Sequence, residues 1–297
     1  MHERIFLIMN IFYYSCRKGL AGILKSTGLC RKFSLSLEGF RLRFFPTSMS
    51  KALWINPHHY DEELVFYKKY LREGDTVLDV GANIGMIALL SAKETGESGK
   101  VWTVEADPQT YARLCNNITL NPHLAPQITP LHYALGEKPG SVSILSHKGD
   151  DSQNRVNPEN PEGNVPMETL DRLFPQETFP GALDLLKIDV EGFELPVLRG
   201  GTNLLRRTRC VLFEISRENY QRYGYTPQDV TAFFKEQDFL LFRMLPQENF
   251  DSPPRLARAE AYEPPHFENL IALPPEEVAS FCERTGFSLG EKKGEIL

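Results

Sequence analysis

Several things are scarce in this 297-residue sequence. It has five cysteines, Cys16, Cys30, Cys115, Cys210 and Cys282, and none forms a C-x-x-C pair. That excludes a thiolate zinc site and a disulfide framework as organising devices, and it suits a reducing, cytosolic setting. The seven histidines show no metal spacing, and His58-His59 reads as exposed loop rather than a ligand pair. No apolar run approaches the 20 or so residues that span a bilayer. The longest, Ile5 to Tyr14, is broken by Asn10 and followed by no small-x-small cleavage site. The acidic body lacks the positive surface that nucleic-acid binding needs. The NPPY-like tetrapeptide of base-methylating enzymes is missing as well.

Charge is unevenly spread. Residues 1–51 carry nine Lys/Arg against two Asp/Glu, and the remainder carries 24 against 37. Two units follow: a basic extension (1–51) holding an amphipathic helix and a hairpin at 33–44, and a larger domain (52–297). The extension either packs on the body or touches an anionic membrane surface through residues 1–32.

From residue 61 onward the pattern alternates. Helical periodicity over 61–72 gives way to a strand at Thr76 to Val80, a helix at 84–95 and a strand at Val101 to Val104. A helix at 108–120 follows, with Asp107 as N-cap and Pro108 in its first turn, and then a strand at Ile128 to Leu135. Later strands are expected at Leu183 to Val190, Cys210 to Ile215, 239–244 and 269–273, with helices at 194–205 and 227–236. Such alternation predicts an α/β fold: a mostly parallel central sheet with helices on both faces. The polar stretch 146–164 reads as a loop and a candidate lid. Within it Asp150-Asp151 reads as solvated rather than cation-binding. Trp54 and Tyr60 read as core packing more readily than as a cofactor entrance.

The most informative segment is Val77 to Gly85, VLDVGANIG. A buried strand runs into a glycine turn and then a helix, whose N-terminal N–H groups suit a ligand. Gly81 permits a close backbone approach, and Gly85 lets the helix start pack tightly. Two of the three glycines of G-x-G-x-x-G are missing and there is no P-loop lysine, which disfavours a nicotinamide or nucleotide-triphosphate site. Glu105, in VEADP, lies at the end of the next strand, where an acid accepts hydrogen bonds from ribose hydroxyls. Asp189 and Glu191 sit at the end of a later strand, beyond which ligands bind in open α/β sheets. They suit general-base or electrostatic work; alternatively Asp189 caps the next turn and Glu191 is solvated.

The D-x-G-x-N-x-G turn resembles the first motif of class I methyltransferases. With DVGANIG (79–85), VEADP (104–108), YALGE (133–137), ETLDRL (168–173), LKIDVEGFELPVLRGG (186–201) and VLFEI (211–215), residues 60–245 resemble the FkbM-type methyltransferases. The resemblance implies a class I Rossmann-like fold, S-adenosylmethionine as cofactor and O-methylation of a hydroxyl on a sugar, glycan, glycolipid or natural product. It implies that Asp79, Gly81, Ala82, Asn83 and Gly85 hold the methionine end, Glu105 and Ala106 the ribose region, and Ala134 and Leu135 the adenine. It brings no metal and leaves the catalytic base to Asp189 or Glu191. The rival readings are an NAD-dependent oxidoreductase and a non-catalytic cofactor-binding protein at a membrane surface. The acceptor's contacts are expected from the 146–164 loop, the amino-terminal arm and the 246–268 segment. Oligomeric state leaves no mark in the sequence.

Overall fold

The structure, a computed structural model, describes residues 15–24, 26–37, 39–56, 61–147, 150–157, 163–177, 179, 181–245, 254–259 and 267–290. The apolar run at 5–14, the His58-His59 pair and Tyr60 lie outside these residues.

The chain begins, after helical residues 15–24, with the expected hairpin, β1 (Ser34–Leu37) and β2 (Phe40–Arg43). Helices α1 (Ser48–Ile55) and α2 (Asp61–Tyr70) lead into β3 (Thr76–Val80), α3 (Met86–Thr95), β4 (Lys100–Val104), α4 (Pro108–Thr119) and β5 (Ile128–Leu131). Short strands follow: β6 (Ala134–Leu135), β7 (Gly140–Val142), β8 (Ile144–His147), β9 (Asp150–Val156) and β10 (Val165–Glu168). Then come α5 (Leu170–Leu173), β11 (Leu185–Ile188), α6 (Glu194–Arg199), α7 (Thr202–Leu205), β12 (Val211–Ser216), α8 (Arg217–Gln221) and α9 (Pro227–Glu236). The last elements are β13 (Leu240–Leu245), β14 (Arg255–Arg258), β15 (Phe267–Leu273), α10 (Glu277–Thr285) and β16 (Ser288–Leu289).

One nine-stranded sheet organises all of this, in the order β16-β14-β13-β15-β12-β11-β3-β4-β5. Strands β5 to β12 run parallel, and β15 is inserted antiparallel between β12 and β13. Adjacent residues on each strand feed opposite faces, as the pleat requires. Val77, Leu185, Leu212 and Ile271 pack with α2, α3 and the hairpin; Leu78, Leu186, Phe213 and Leu270 pack with α6, α7 and α9. Burial on both faces explains the nearly continuous apolar strands.

The hairpin is tied to the body. The Arg41 N–H donates to Asn121 Oδ1 (2.7 Å), the Arg43 N–H to Asn117 Oδ1 (2.8 Å), and Phe40 and Leu42 enter the main core. Positions 51 and 52 lie within α1, and the hairpin before it shares the core of the sheet. Trp54 stacks on Phe44 with ring centroids 5.0 Å apart, in the packing role expected of it.

Three local expectations are corrected. The strand over 128–135 splits, because Ala134 and Leu135 leave the large sheet to pair with β10. The polar stretch at 146–164 is no simple loop: Ile144–His147 and Asp150–Val156 form an antiparallel hairpin. The helix expected over 194–205 breaks at Gly200-Gly201. A Cβ on Gly200 would sit 2.1 Å from the Gly136 carbonyl oxygen, so the chain turns there to pass another backbone. The Gly200 φ of −78° is ordinary, which leaves space as the sole objection to a side chain. Gly200→Ala should destabilise the fold by about 1–3 kcal/mol, the usual penalty for forcing atoms into a filled core. Gly181→Ala, where nothing lies within 4 Å, should stay close to wild type in urea denaturation.

Candidate functional site

The glycine turn after β3 is built around its neighbour. Gly81 adopts a φ of 80°, and its N–H and that of Ala82 donate to the Val104 carbonyl at 2.9 and 3.1 Å. A Cβ on Gly81 would lie 1.8 Å from the Asp189 carbonyl oxygen. The close approach that demands glycine is thus to the end of β11, where a ligand was expected. Gly85, φ 88°, would press a Cβ onto Leu114 of α4 at 2.5 Å. Asn83 is left-handed too, with φ 51°, and its Oδ1 accepts the Ile84 N–H.

Glu105 stands across the turn. Its Oε2 accepts the Asn83 N–H at 2.9 Å and its Oε1 the Asp107 N–H at 2.8 Å. Each carboxylate oxygen has a second lone pair, and the side chain lines the cleft. Burial pushes its pKa up to about 7 against those two hydrogen bonds. Asp107 caps α4 as expected, accepting the Thr110 N–H.

These residues open onto a cavity of about 540 Å³, within the range of small-molecule sites. Gly81, Ala82, Asn83, Glu105, Ala106, Ala134 and Leu135 line one half. Asp79 and Gly85 do not line it. Asp79 is fully buried beneath the turn, and Gly85 packs against α4.

The other half is acidic. Asp189 is 36% exposed, and its Oδ2 lies 3.3 Å from the ammonium of Lys187. That ammonium also lies 3.4 Å from Asp79 Oδ1 and donates to the Gly81 carbonyl at 3.2 Å. Burial raises the Asp79 pKa, and Lys187 opposes it. The strand ends at Ile188, and Glu191 takes a left-handed φ of 55°. Strand alternation therefore does not relate the two acids, yet both line the cleft. The Asn219 amide donates to Glu191 Oε2 and Glu214 Oε1, both at 3.3 Å. Burial, with Asp189's charge next, lifts Glu191 to about 7 and Glu214 to about 9. The turn itself is held by Glu194, which accepts the Val190 and Gly192 N–H groups at 2.9 and 3.3 Å. That is the capping work the alternative reading gave to Asp189.

Sequence reasoning passed over Lys187, Glu194, Glu214 and Asn219. Lys187 and Glu214 carried a signal, each a charge inside the otherwise apolar run of its strand, β11 and β12. The β8–β9 hairpin closes one side of the cleft with Gln153, Asn154, Arg155 and Val156. Asn154 Nδ2 donates to Thr110 Oγ1 at 3.1 Å and the Tyr223 hydroxyl to the Val156 carbonyl at 2.7 Å. Met49 and Phe267 add to the lining from the two other segments expected to contribute. Among the described residues, no three His, Cys, Asp or Glu side chains gather as a metal would require.

The family profile described as "Methyltransferase FkbM domain" matches residues 79–241, more than half of the chain. The chain belongs to the FkbM methyltransferase family. It is an S-adenosylmethionine-dependent methyltransferase with the class I Rossmann-like fold, as the sheet order and the glycine turn led one to expect. Hexuronic acid methyltransferase AglP of Haloferax volcanii is 27% identical to this methyltransferase over 216 residues, covering 72% of this chain and 84% of AglP. Among solved structures, methyltransferase FkbM from Methylobacillus flagellatus KT aligns at 15% identity and a TM-score of 0.43, over 75% of this chain and 54% of that one. Fibrillarin of Aeropyrum pernix, with natively bound S-adenosylmethionine, aligns at 15% identity and a TM-score of 0.39, over 72% and 74%.

The raised pKa of Glu105 gives a test of its place in the methyltransferase. Its charged form is the better acceptor for ribose hydroxyls, and that form is lost as pH falls through about 7. Affinity for S-adenosylhomocysteine should therefore fall by up to about tenfold between pH 8 and pH 6. In Glu105→Gln, calorimetry should find weaker binding with most of this pH dependence gone.

Proposed function

We propose that this methyltransferase methylates a hydroxyl of a sugar, glycan, glycolipid or natural product, with Asp189 as general base or electrostatic anchor. The observation that carries the reading is the half-exposed Asp189 carboxylate, in the cleft wall beside the cofactor turn and steered by Lys187. The similarity to AglP, a hexuronic acid methyltransferase, supports a sugar-type acceptor.

The residues fit the cofactor. Ala82, Ala106 and Ala134 keep the cleft wall low, and Glu105 turns its remaining lone pairs toward the space where ribose hydroxyls would lie. In this reading Ala134 and Leu135 flank the adenine, and Ala82 and Asn83 flank the methionine portion. Gly81 sets the turn, while Asp79 and Gly85 support it from beneath and behind. When bound, S-adenosylmethionine would supply an electrophilic methyl group on a positively charged sulfur, and the acceptor hydroxyl would have to give up its proton. Asp189 takes that proton or stabilises the charge around it. Lys187 fixes the direction of the carboxylate, and the hydrogen-bonded Glu191 and Asn219 hold the acceptor side.

Residues 15–33 support a second contact. Leu20 and Ile23 expose 46% and 60% of their surface, three residues apart on helical residues 15–24, while Ala21 and Leu24 pack beneath. Leu29 and Phe33 are exposed as well, and residues 15–33 include five Lys/Arg and no Asp/Glu. Apolar side chains fringed by cations suit an anionic bilayer surface. No described helix is long and apolar enough to cross a membrane. The five free thiols support a reducing, cytoplasmic setting.

Asp189→Asn keeps the shape and removes the charge. It should lower turnover about 10²–10⁴-fold, the usual contribution of a general base, and leave cofactor affinity within a few-fold. Glu191→Gln is the comparison: full activity of Asp189→Asn beside a dead Glu191→Gln reverses the two roles. Normal turnover in both variants places the base elsewhere, or leaves positioning alone to drive the reaction. For the membrane contact, the protein should sediment with phosphatidylglycerol vesicles and not with phosphatidylcholine vesicles, and Leu20→Ser/Ile23→Ser should abolish this. A protein that ignores both kinds of vesicle carries no such contact.

A further inference from the structure

The acidic half of the cleft ends in a patch that the cofactor reading does not use. Strand β15 runs antiparallel to β12, so its beginning lies beside the carboxyl end of β12, at the ligand-binding edge of the sheet. In this register Phe267 is opposite Ser216, and Asn269 is opposite Glu214. Residues directly opposite one another, and residues two apart on a strand, share a face. All four therefore project on one face, and all four line the cavity.

Phe267 is 70% exposed, more than any other large apolar side chain among the described residues, and it stands at a cavity wall. A ring at the wall of a polar cleft offers a ligand one flat apolar surface among hydrogen-bonding groups. Around it the chemistry is hydrogen-bonding. Glu214 is held by the Asn219 amide, and Asn219 Oδ1 accepts from Arg222 at 2.6 Å, so this wall is set before anything binds.

Position along the sheet separates this patch from the cofactor half. Strands lie about 4.8 Å apart, and β4, β3, β11, β12 and β15 follow in order. Glu105 follows β4, the glycine turn follows β3 and Asp189 follows β11. The patch occupies the next two places, beyond Asp189 on the side away from the ribose acid. A group seated there has Asp189 between itself and the cofactor turn.

We propose that Glu214, Ser216, Phe267 and Asn269 form the acceptor seat, with Phe267 selecting a saturated, hydroxylated ring by packing against its C–H face. One flat apolar surface beside acceptors and donors matches a ring that carries C–H bonds on its face and hydroxyls at its rim. The inference deepens the sugar-hydroxyl reading of the acceptor and rests on it.

Saturation-transfer NMR in the presence of S-adenosylhomocysteine tests the seat directly, with methyl glucoside and methyl glucuronide as probes and catechol as the planar aromatic comparison. Ring C–H protons of a sugar probe should receive saturation from the wild type. Phe267→Ala should lose the signal and Phe267→Trp should keep it, with calorimetry giving both variants wild-type affinity for S-adenosylhomocysteine. With a glycan acceptor that turns over, Phe267→Ala should raise KM at least tenfold with a smaller change in kcat. Sugar signals that survive Phe267→Ala, saturation of catechol alone, or no saturation of either sugar overturns the seat. The two readings fail separately. Methylation of a sugar hydroxyl with an unchanged KM in Phe267→Ala overturns the seat and spares the reaction. Phe267-dependent sugar binding in a protein that transfers methyl to no hydroxyl overturns the reaction and spares the seat.

Discussion

A lysine ammonium buried between two carboxylates and a carbonyl oxygen is the interaction on which this site depends. Lys187 is only 8% exposed at its side chain, so its charge must be balanced locally. Asp79 from β3 and Asp189 from beyond β11 supply the balance, and the Gly81 carbonyl completes it. The three partners belong to the cofactor turn, the strand beneath it and the acid that faces the acceptor. Losing Asp79 or Asp189 leaves this buried ammonium to the other carboxylate alone. Gly81 reinforces the same junction sterically, since its missing side chain lets the turn rest on the Asp189 carbonyl.

The remaining acids behave differently. Glu194 and Glu214 are pushed by burial to about 8 and about 9, so near neutral pH both are mostly protonated. A protonated carboxyl donates as well as accepts, which suits a wall meant for hydroxyl groups. The far end of the cleft, where Glu214 stands beyond Asp189, therefore holds less negative charge than its sequence suggests.

The legible part of the molecule was the part governed by local rules. The β3 turn, Glu105 and the Asp107 cap each follow from a strand, a glycine or a capping residue within a few positions. Helix α9 came out at its full length because Thr226 and Asp229 form a capping box and Pro227 starts the first turn. What stayed hidden depends on distant partners. Strand β9 reads as loop because its residues Gln153 and Asn154 line a polar cleft, so no apolar period remains. The break at Gly200 reflects the backbone of Gly136, 64 positions away. The β14 strand and the α10 helix went unread, and the partners of Lys187 are invisible until β3 and β11 lie side by side.

The antiparallel insertion of β15 divides the molecule's inheritance in two. The residues that line the glycine-turn half of the cleft come from the first half of the fold, up to β6, whereas Phe267 and Asn269 arrive on a strand laid down near the end of the chain. Backbone hydrogen bonds to β12 hold that strand in register whatever its outward side chains are. Its two cleft-facing positions are therefore free to drift without disturbing the turn, the lysine or the ribose acid. Substitutions on this one late strand reshape the far wall of the cleft and leave the glycine turn, Lys187 and Glu105 where they are.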